Sequence, residues 1–425
     1  MLSLFIPQDL RDIPNYPRYW FSQFVSFMAN QVLMMAFGWH VYAITQSALS
    51  LGYIGLMLFA PQMLLVLVVG HVADRYDRRT IVMITQTLEC MVAGSLALAS
   101  FYDVQSEQLI FFAAFCIGAI RAFQGPALQA MLPGLIPLNS LPKAIALGSA
   151  SRQFATIAGP ALGGLLFFGG NTFVYTASAL LFALAFGAML RIRYQPHEEP
   201  RRPVNWETIF AGVKFIWRRP VILGAISLDL FSVLIGSATA LFPIYAEHIL
   251  NTGSWGLGLL RAGPAVGALI LAIYIARFPL KEKVGRTMFI GVAVFGVTTI
   301  IFGLSEWFWL SFTMLIVMGA ADMISVVVRS SLVQLQTPDD MRGRVGAVNS
   351  IFIGASNQLG DFESGVVAEF FGTVPAVVAG GVGTLLVVGL WIKMFPGLYH
   401  WDRLTANEPP GENSATSPTS STKNP

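Results

Sequence analysis

Eight charged residues in this sequence lie inside long apolar segments, where an ionised side chain is costly unless it is paired or functional. They are Glu89, Arg121, Arg152, Asp229, Arg261, Asp322, Asp361 and Glu363. A buried carboxylate near an arginine can alternate between a paired, ionised form and a protonated form. Such a group can couple proton movement to a conformational change. The same residues could also serve only as structural ion pairs between helices.

Five of these residues share a similar depth, about 7–10 residues or roughly 10–15 Å from one end of their segments. These five are Glu89, Arg121, Arg152, Asp229 and Asp322. Their common depth predicts one polar layer near the middle of the molecule. We take them as the candidate proton-coupling and cavity residues.

The composition places these charges in a membrane protein. Of the 425 residues, 55% are apolar and only 12% are charged, about half the charged fraction of a water-soluble domain. This excludes an ordinary water-soluble enzyme and a disordered chain. The net charge of +3 gives no reason to expect a nucleic-acid partner. Cys90 and Cys116 both lie in apolar segments, so we expect no disulfide framework, metal site or cofactor.

Twelve segments are long and apolar enough to cross a bilayer as helices. They cover residues 19–44, 51–73, 80–101, 108–131, 143–169, 171–190, 220–246, 255–276, 286–304, 307–329, 345–371 and 373–394. The sequence thus predicts an all-α membrane protein with 12 transmembrane helices.

The positive charges indicate the orientation. Of the 26 Lys and Arg residues, 23 fall in the termini and loops on the N-terminal side, with Arg329 counted at the end of the tenth segment. The opposite loops carry none, and Arg121, Arg152 and Arg261 lie within segments. Since positive loops stay in the cytoplasm, both termini are expected there.

The chain divides at a long central loop. We expect a cytoplasmic N-terminus (1–18), a six-helix bundle (19–190), a linker (191–219), a second six-helix bundle (220–394) and a disordered tail (395–425). The sequence of the linker predicts an amphipathic helix that lies on the inner leaflet, with Asn205 as its N-cap. Its apolar face consists of Trp206, Ile209, Phe210, Val213 and Trp217.

The two halves resemble each other. Gly55-Leu56 followed by Pro61 recurs as Gly258-Leu259 followed by Pro264, and residues 137–149 recur at 338–350. Such repeats favour a secondary transporter built from two pseudo-symmetric bundles, with its site between them. The second offset carries Arg121 onto Asp322, so we hypothesise that both face one central cavity and help to hold one of its states closed.

A stripe of small residues marks the fifth segment. Gly148, Arg152, Ala155, Gly159 and Gly163 lie within about 80° of one another on a helix, which predicts a packing seam. Enzyme signatures and a nucleotide-binding loop with its lysine are missing, so we expect neither catalysis nor transport driven by ATP hydrolysis.

Three motifs resemble those of the major facilitator superfamily, over residues 15–395. Motif A is carried by Gly70, Asp74, Arg75, Arg78 and Arg79, with Asp77 where the family usually has glycine. Motif B is carried by Arg121, Gln124 and Gly125. The resemblance implies that its arginine takes part in proton coupling. Motif C, associated with exporters, is carried by Gly159, Pro160, Gly163 and Gly164. The resemblance implies that motif A latches the cytoplasmic gate and that motif C forms the seam between the bundles.

Shorter stretches resemble the subgroup that contains the bacterial enterobactin exporter. They include Gly125-Pro126-Ala127, Gly258-Leu259-Leu260 and an elbow in the second half with Asp340, Arg342, Gly343 and Arg344. Relatives often carry an acid near Ser26, where this chain offers only Asn30. That departure makes Asp229 the first candidate for the coupling acid and Glu89 the second.

These observations predict a monomeric transporter of the bacterial inner membrane, with lipid, protons and a small organic molecule as its partners. We expect alternating access and export of a siderophore or amphipathic drug-like compound by proton antiport, with Arg121 and Asp229 as the coupling residues. A proton-coupled importer of the same fold remains the main alternative. An intramembrane enzyme or channel would need a nucleophile–base pair or a polar pore, and the sequence shows neither.

Overall fold

Apolar runs separated by short polar turns fold into long helices, because a helix satisfies every backbone polar group within the segment. The computed structural model describes residues 6–193, 206–280 and 282–403, and within these ranges it contains helices and no β-strand. Side-chain caps mark several helix starts: Ser47, Asp77 and Ser106 each accept a hydrogen bond from the backbone N–H three residues later.

The first half, after a short helix, consists of six long helices. The short helix is α1 (Gln8–Arg11). The six long helices are α2 (Tyr16–Thr45), α3 (Ala48–Arg75), α4 (Arg78–Phe101), α5 (Glu107–Met131), α6 (Leu141–Leu166) and α7 (Gly170–Leu190). The second half repeats this plan after a linker helix. Its helices are α8 (Trp206–Trp217), α9 (Pro220–Gly236), α10 (Phe242–Ile244), α11 (Gly253–Arg277), α12 (Val284–Leu304), α13 (Phe308–Gln336), α14 (Asp339–Phe371), α15 (Thr373–Met394) and α16 (Pro396–Tyr399).

Ten helical segments of the described chain are long and apolar enough to cross a membrane. One of them, Leu141–Leu190, contains both α6 and α7, whereas α14 is not among the ten. Because α14 carries charged residues along its 33 residues, the count of twelve spans remains a prediction.

The helices pack as two bundles related by the internal repeat. Helices α2 to α7 contact one another in the first bundle, and α9 and α11 to α15 do so in the second. The bundles meet through α3 against α14 and through α6 against α11. These two contacts are equivalent under the repeat, since α3 corresponds to α11 and α6 to α14.

The contacts between bundles concentrate near one end of the helices. We call the end with Arg75, Arg78 and Arg79 the basic end, and the end where Gln46 and Ser47 join α2 to α3 the neutral end. Near the neutral end, a Cβ added to Gly164 would lie 2.5 Å from the Ser254 carbonyl oxygen of α11. The backbones therefore touch there, as small residues allow.

The seventh segment is interrupted, although the sequence predicts a continuous span over 220–246. Helix α9 ends at Gly236, and a 3₁₀ turn (Thr239–Leu241), α10 and a π turn (Tyr245–Ile249) follow. Asp361 of α14 accepts a hydrogen bond from Ser237 Oγ at 2.8 Å and another from the backbone N–H of Ala240. The carboxylate thus satisfies polar groups that the break leaves without helical partners.

Helix α8 lies within the predicted linker and packs on the second bundle. Val213 and Ile216 join an apolar cluster with Val345 and Val348 of α14, while the side chain of Trp217 is 71% exposed. Asn205, the predicted cap, lies outside the described residues.

The beginning of the tail differs from the predicted disorder. Residues 396–399 form α16, and the segment just after it binds the N-terminus of α12. The backbone N–H of Gly285 donates to the Trp401 carbonyl at 2.9 Å, and that of Lys283 donates to Asp402 Oδ1 at 3.0 Å. The free N–H groups of a helix start need such acceptors. Residues 404–425 lie outside the described part.

Candidate functional site

A buried ion pair joins two helices of the second bundle. Asp229 of α9 pairs with Arg329 of α13, and the two residues are 5% and 3% exposed. Ser325 Oγ donates a hydrogen bond to Asp229 Oδ1 at 3.0 Å. Asp322, one turn before Ser325 on α13, lies within electrostatic range of both Asp229 and Arg329. Asp229 and Arg329 are therefore held away from water, while Asp322 is only partly buried.

Arg329 is the functional candidate that the sequence did not reveal. The sequence predicts that the tenth span ends at this residue, but α13 continues to Gln336. Arg329 therefore lies about two turns inside the helix end, where its side chain pairs with Asp229. One positive charge counted for the loops thus lies inside a span, while the excess of basic residues at this end remains.

A second cluster lies in the first bundle around Glu89 of α4. Gln124 Nε2 donates a hydrogen bond to Glu89 Oε2 at 2.8 Å, and Ser26 Oγ lies 3.5 Å from the same oxygen. Arg121 lies within electrostatic range, while Oε1 of Glu89 has no hydrogen-bond partner among the described residues. Glu89 thus places a carboxylate beside Ser26, where the family resemblance implies an acid.

The five candidate residues fall into two clusters, one in each bundle, and their common depth remains a prediction. Arg121 and Arg152 line a cavity of about 170 Å³ in the first bundle, which we call the arginine cavity. Asp322 lines a different cavity of about 290 Å³ together with Gln153 and Asn357, which we call the aspartate cavity. The hypothesis that Arg121 and Asp322 face one cavity is therefore not met in this conformation. Depth alone does not determine which face of a helix a residue occupies.

Motif A binds the ends of helices in its own bundle. Arg78 Nη1 donates to the Ala130 carbonyl of α5 at 2.9 Å, and Arg79 Nη2 donates to the Leu190 carbonyl of α7 at 2.8 Å. The last carbonyls of a helix lack helical partners and attract positive charge. These two arginines thereby fasten the turn between α3 and α4 to its neighbours.

Asp77 replaces the usual glycine of this motif without disturbing the turn. Its carboxylate accepts hydrogen bonds from the backbone N–H and the hydroxyl of Thr80, at 3.0 and 2.7 Å. It therefore acts as the N-cap of α4. Arg75 is exposed at the end of α3. The surroundings of Gly70 and the side chain of Asp74 lie outside the described part. The latch role of motif A therefore remains a prediction.

Motif C is divided between two contacts. A Cβ on Gly159 or Gly163 would meet Gln31 or Met35 of α2, within the same bundle. Gly164, by contrast, faces Ser254 and Gly258 of α11. The Pro160 carbonyl lies only 2.7 Å from the Cβ that Gly258 would carry. Only Pro160 and Gly164 of the four predicted seam residues therefore form the contact between bundles.

The elbow of the second half begins α14. Arg342 Nε donates to the Gln334 carbonyl at 3.2 Å, and Arg344 Nη1 contacts Met341 Sδ at 3.3 Å. A Cβ on Gly343 would meet nothing within 4 Å. The side chain of Asp340 lies outside the described part of the chain.

Polar contacts close the neutral end between the bundles. Glu369 of α14 accepts hydrogen bonds from Ser47 Oγ and from the backbone N–H of Leu49 at the start of α3, at 3.0 and 3.1 Å. His248 Nε2 lies 2.9 Å from Gln46 Oε1. Arg261 donates to the Met34 carbonyl at 3.1 Å. Within the described residues, no group of three His, Cys, Asp or Glu side chains could hold a metal ion.

One known protein family matches nearly the whole sequence of this chain. The family described as transmembrane secretion effector matches residues 13–413. The chain belongs to this family.

Among the relatives of this chain is the enterobactin exporter EntS of Escherichia coli strain K12. The two are 22% identical over 394 residues, which cover 92% of this chain and 94% of the relative. The enterobactin exporter EntS of Shigella boydii serotype 18 is 23% identical over 387 residues, covering 91% and 92%.

Solved structures show the same fold. A bacterial homolog of the human lysosomal transporter Spinster, in an inward-facing and occupied conformation, has a TM-score of 0.72 at 13% identity, covering 89% of this chain and 95% of that chain. A POT family transporter in complex with 5-aminolevulinic acid also has a TM-score of 0.72, at 12% identity, covering 94% and 100%. The chain is therefore a multi-pass membrane transporter with the major facilitator fold.

Proposed function

We propose that the chain exports a small organic molecule across the bacterial inner membrane by proton antiport. The buried Asp229–Arg329 pair carries this proposal, because a titratable acid paired across two helices can exchange its partner for a proton. Kinship with the enterobactin exporters supports the direction of transport, since they are 22% identical over 92% of the chain. A siderophore or an amphipathic drug-like compound is the proposed cargo.

The proposed cycle alternates access between the two ends. With the neutral end closed by Glu369 and Arg261, the substrate enters from the basic end, which we place in the cytoplasm. Protonation of Asp229 from the other side would release Arg329 and change the packing of α9 against α13. Arg121, beside Glu89, is the proposed coupling arginine of the first bundle.

The test uses inverted membrane vesicles with an imposed proton gradient and a panel of catechol siderophores and amphipathic dyes. We expect gradient-driven uptake by the wild type and a loss of at least tenfold in Asp229→Asn. Counterflow, the exchange of labelled for unlabelled substrate without a gradient, should persist in that variant. Asp9→Asn is the matched control, because Asp9 is exposed and the hydrogen bond from Lys143 holds its pKa below the usual value.

The other outcomes are equally informative. Loss of counterflow together with driven uptake would make Asp229 a structural residue and overturn its coupling role. Accumulation only in right-side-out vesicles would overturn export and identify an importer of the same fold.

A further inference from the structure

The arginine cavity carries positive charge that no described residue neutralises by contact. Three helices of the first bundle build it, and the lining residues of α2 and α5 recur every three or four positions on one helix face. They are Gln23, Ser26, Phe27 and Asn30 of α2, Arg121, Gln124, Gly125, Leu128 and Gln129 of α5, and Arg152 of α6. Among the described lining residues there are two guanidinium groups and no carboxylate, so the electrostatic preference of the cavity is for an anion.

Both arginines keep most of their donors available. A guanidinium has five N–H donors. Within the described chain, Arg152 makes one side-chain hydrogen bond, to Ser149 Oγ at 3.4 Å. Arg121 has no ion pair or hydrogen bond there, and Glu89 acts on it only at longer range. Unpaired cations in a partly desolvated site are costly, and an incoming anion relieves that cost.

An independent feature of the same cavity points to a ligand. Asn30 is only 4% exposed and lines the cavity, yet its Oδ1 atom has no hydrogen-bond partner in the described structure. A buried carbonyl oxygen normally has a donor. A hydroxyl or N–H group of a bound molecule would supply one.

We propose that the arginine cavity is the subsite for an acidic, oxygen-rich group of the exported molecule. Arg121 and Arg152 bind a carboxylate or a catecholate, whose paired oxygens suit the guanidinium fork. Asn30 accepts a hydrogen bond from a neighbouring hydroxyl or amide of the same molecule. This inference rests on the proposed function and deepens it, because it defines the charge of the substrate.

The second cavity gives this molecule an orientation. The aspartate cavity is lined mainly by apolar and small residues, with Asp322 as its charged group. The carboxylate of Asp322 repels an acidic group, so the acid end of the substrate binds in the first bundle. The apolar remainder of the molecule extends towards the second.

The test measures binding to the purified full-length chain in detergent, without any gradient. Four probes of similar shape are used: 2-naphthoate, 2,3-dihydroxynaphthalene, the neutral 2-naphthamide and the cationic 2-naphthylmethylamine. We expect naphthoate to bind about tenfold or more tightly than the amide, as expected for charge-assisted hydrogen bonds. The dihydroxy compound should do the same where the site binds it with loss of a proton, as a catecholate. Preference for naphthoate identifies a carboxylate, and preference for the dihydroxy compound identifies a catecholate.

Variants then assign that preference to the arginines. Arg152→Gln should reduce the difference between acid and amide to less than threefold, while Arg152→Lys should retain part of it because the charge remains without the fork. Arg403→Gln is the matched control, since Arg403 is exposed and pairs only with Glu282 and Asp402 near the tail.

Equal binding of all four probes to the wild type, or tighter binding of the amine, would overturn the inference even if no variant folds. The same holds if Arg152→Gln retains the full preference. Discrimination between acid and amide without gradient-driven transport would instead overturn the proposed function and leave the acid subsite in place.

Discussion

The Asp229–Arg329 pair places two opposite charges in the interior of the second bundle. Removing two charges from water costs several kcal/mol for each ion, and their mutual attraction recovers this only when both remain present. Ser325 adds one hydrogen bond to Asp229, while Nε of Arg329 has no partner in the described structure. Because one hydrogen-bond donor of the pair is unsatisfied, the two residues are suited to separate during a transport cycle.

Removing one partner of this pair should lower the stability of the protein more than removing both. Arg329→Gln leaves the Asp229 carboxylate buried and unpaired, so we expect a loss of about 3–5 kcal/mol in stability. The double variant Asp229→Asn with Arg329→Gln should recover much of that loss. Thermal unfolding in detergent, followed by the fraction that remains monodisperse, measures both.

The exposed pair of Arg403 and Glu282, 3.6 Å apart, provides the control. Arg403→Gln should leave the thermal midpoint nearly unchanged, because exposed ion pairs contribute little. A double variant less stable than Arg329→Gln alone would contradict the interpretation that charge burial dominates.

The sequence could identify Asp229 but not its partner. An acid in the middle of an apolar run is conspicuous, whereas Arg329 near the end of one resembles an ordinary membrane anchor. The two residues are 100 positions apart, and their contact depends on how α9 and α13 face each other. The position of Glu89 beside Ser26 could not be predicted from the sequence either, since it depends on the packing of α4 against α2.

At the scale of elements, the positions of the long helices follow closely from hydropathy. Their predicted and observed bounds differ mostly by a few residues, since bilayer thickness requires a minimum apolar length. The larger differences are the break after Gly236 and the continuation of α13 to Gln336. Tertiary contacts replace helical hydrogen bonds at that break and at one helix start. Asp361 supports the break after Gly236, and the chain beyond α16 supports the start of α12. Local patterns contain no sign of either contact.

The cap on α12 yields a testable consequence for the tail. Asp402 places a carboxylate and a carbonyl at the N-terminus of α12, where the helix dipole favours negative charge. Asp402→Ala should lower stability by about 1 kcal/mol, as for the loss of other N-caps. A lower thermal midpoint in detergent would measure this effect.

Asp12→Ala, at an exposed acid after α1, serves as the comparison and should not shift the midpoint. An equal effect of both variants would assign the loss to overall charge and not to the cap.

Considered as a whole, the molecule has close contacts between α3 and α14 at the neutral end and open space beside three glycines nearer the basic end of α14. A Cβ on Gly365 would lie 2.8 Å from the Ala48 carbonyl oxygen of α3. At Gly343, Gly346 and Gly354, by contrast, a Cβ would meet nothing within 4 Å. This asymmetry defines one end state of the alternating-access cycle that we propose.

A bulky residue at the crossing of α6 and α11 should disfavour this state. Leucine at Gly164 would collide with the Ser254 carbonyl and force the neutral end apart. With Cys90 and Cys116 replaced by serine, we expect Gly164→Leu to reduce labelling of Gln129→Cys by an impermeant maleimide at the basic side several-fold.

Gly187→Leu provides the matched control, because a Cβ on Gly187 of α7 would meet nothing within 4 Å. Its labelling should equal that of the parent. Unchanged labelling in Gly164→Leu would mean that this contact does not govern which end is open.

The position of the crossing also has a mechanical consequence. Gly164 lies near one end of α6, so the rest of that helix forms a rigid arm about 35 Å long on the other side of the contact. If the crossing serves as a fulcrum, a rotation of about 10° there displaces the far end of an arm of this length by about 6 Å. The touching backbones can remain in place while the far end opens by more than the thickness of an aromatic ring. The leverage of a long helix, and not the rupture of many contacts, would then set the width of the passage.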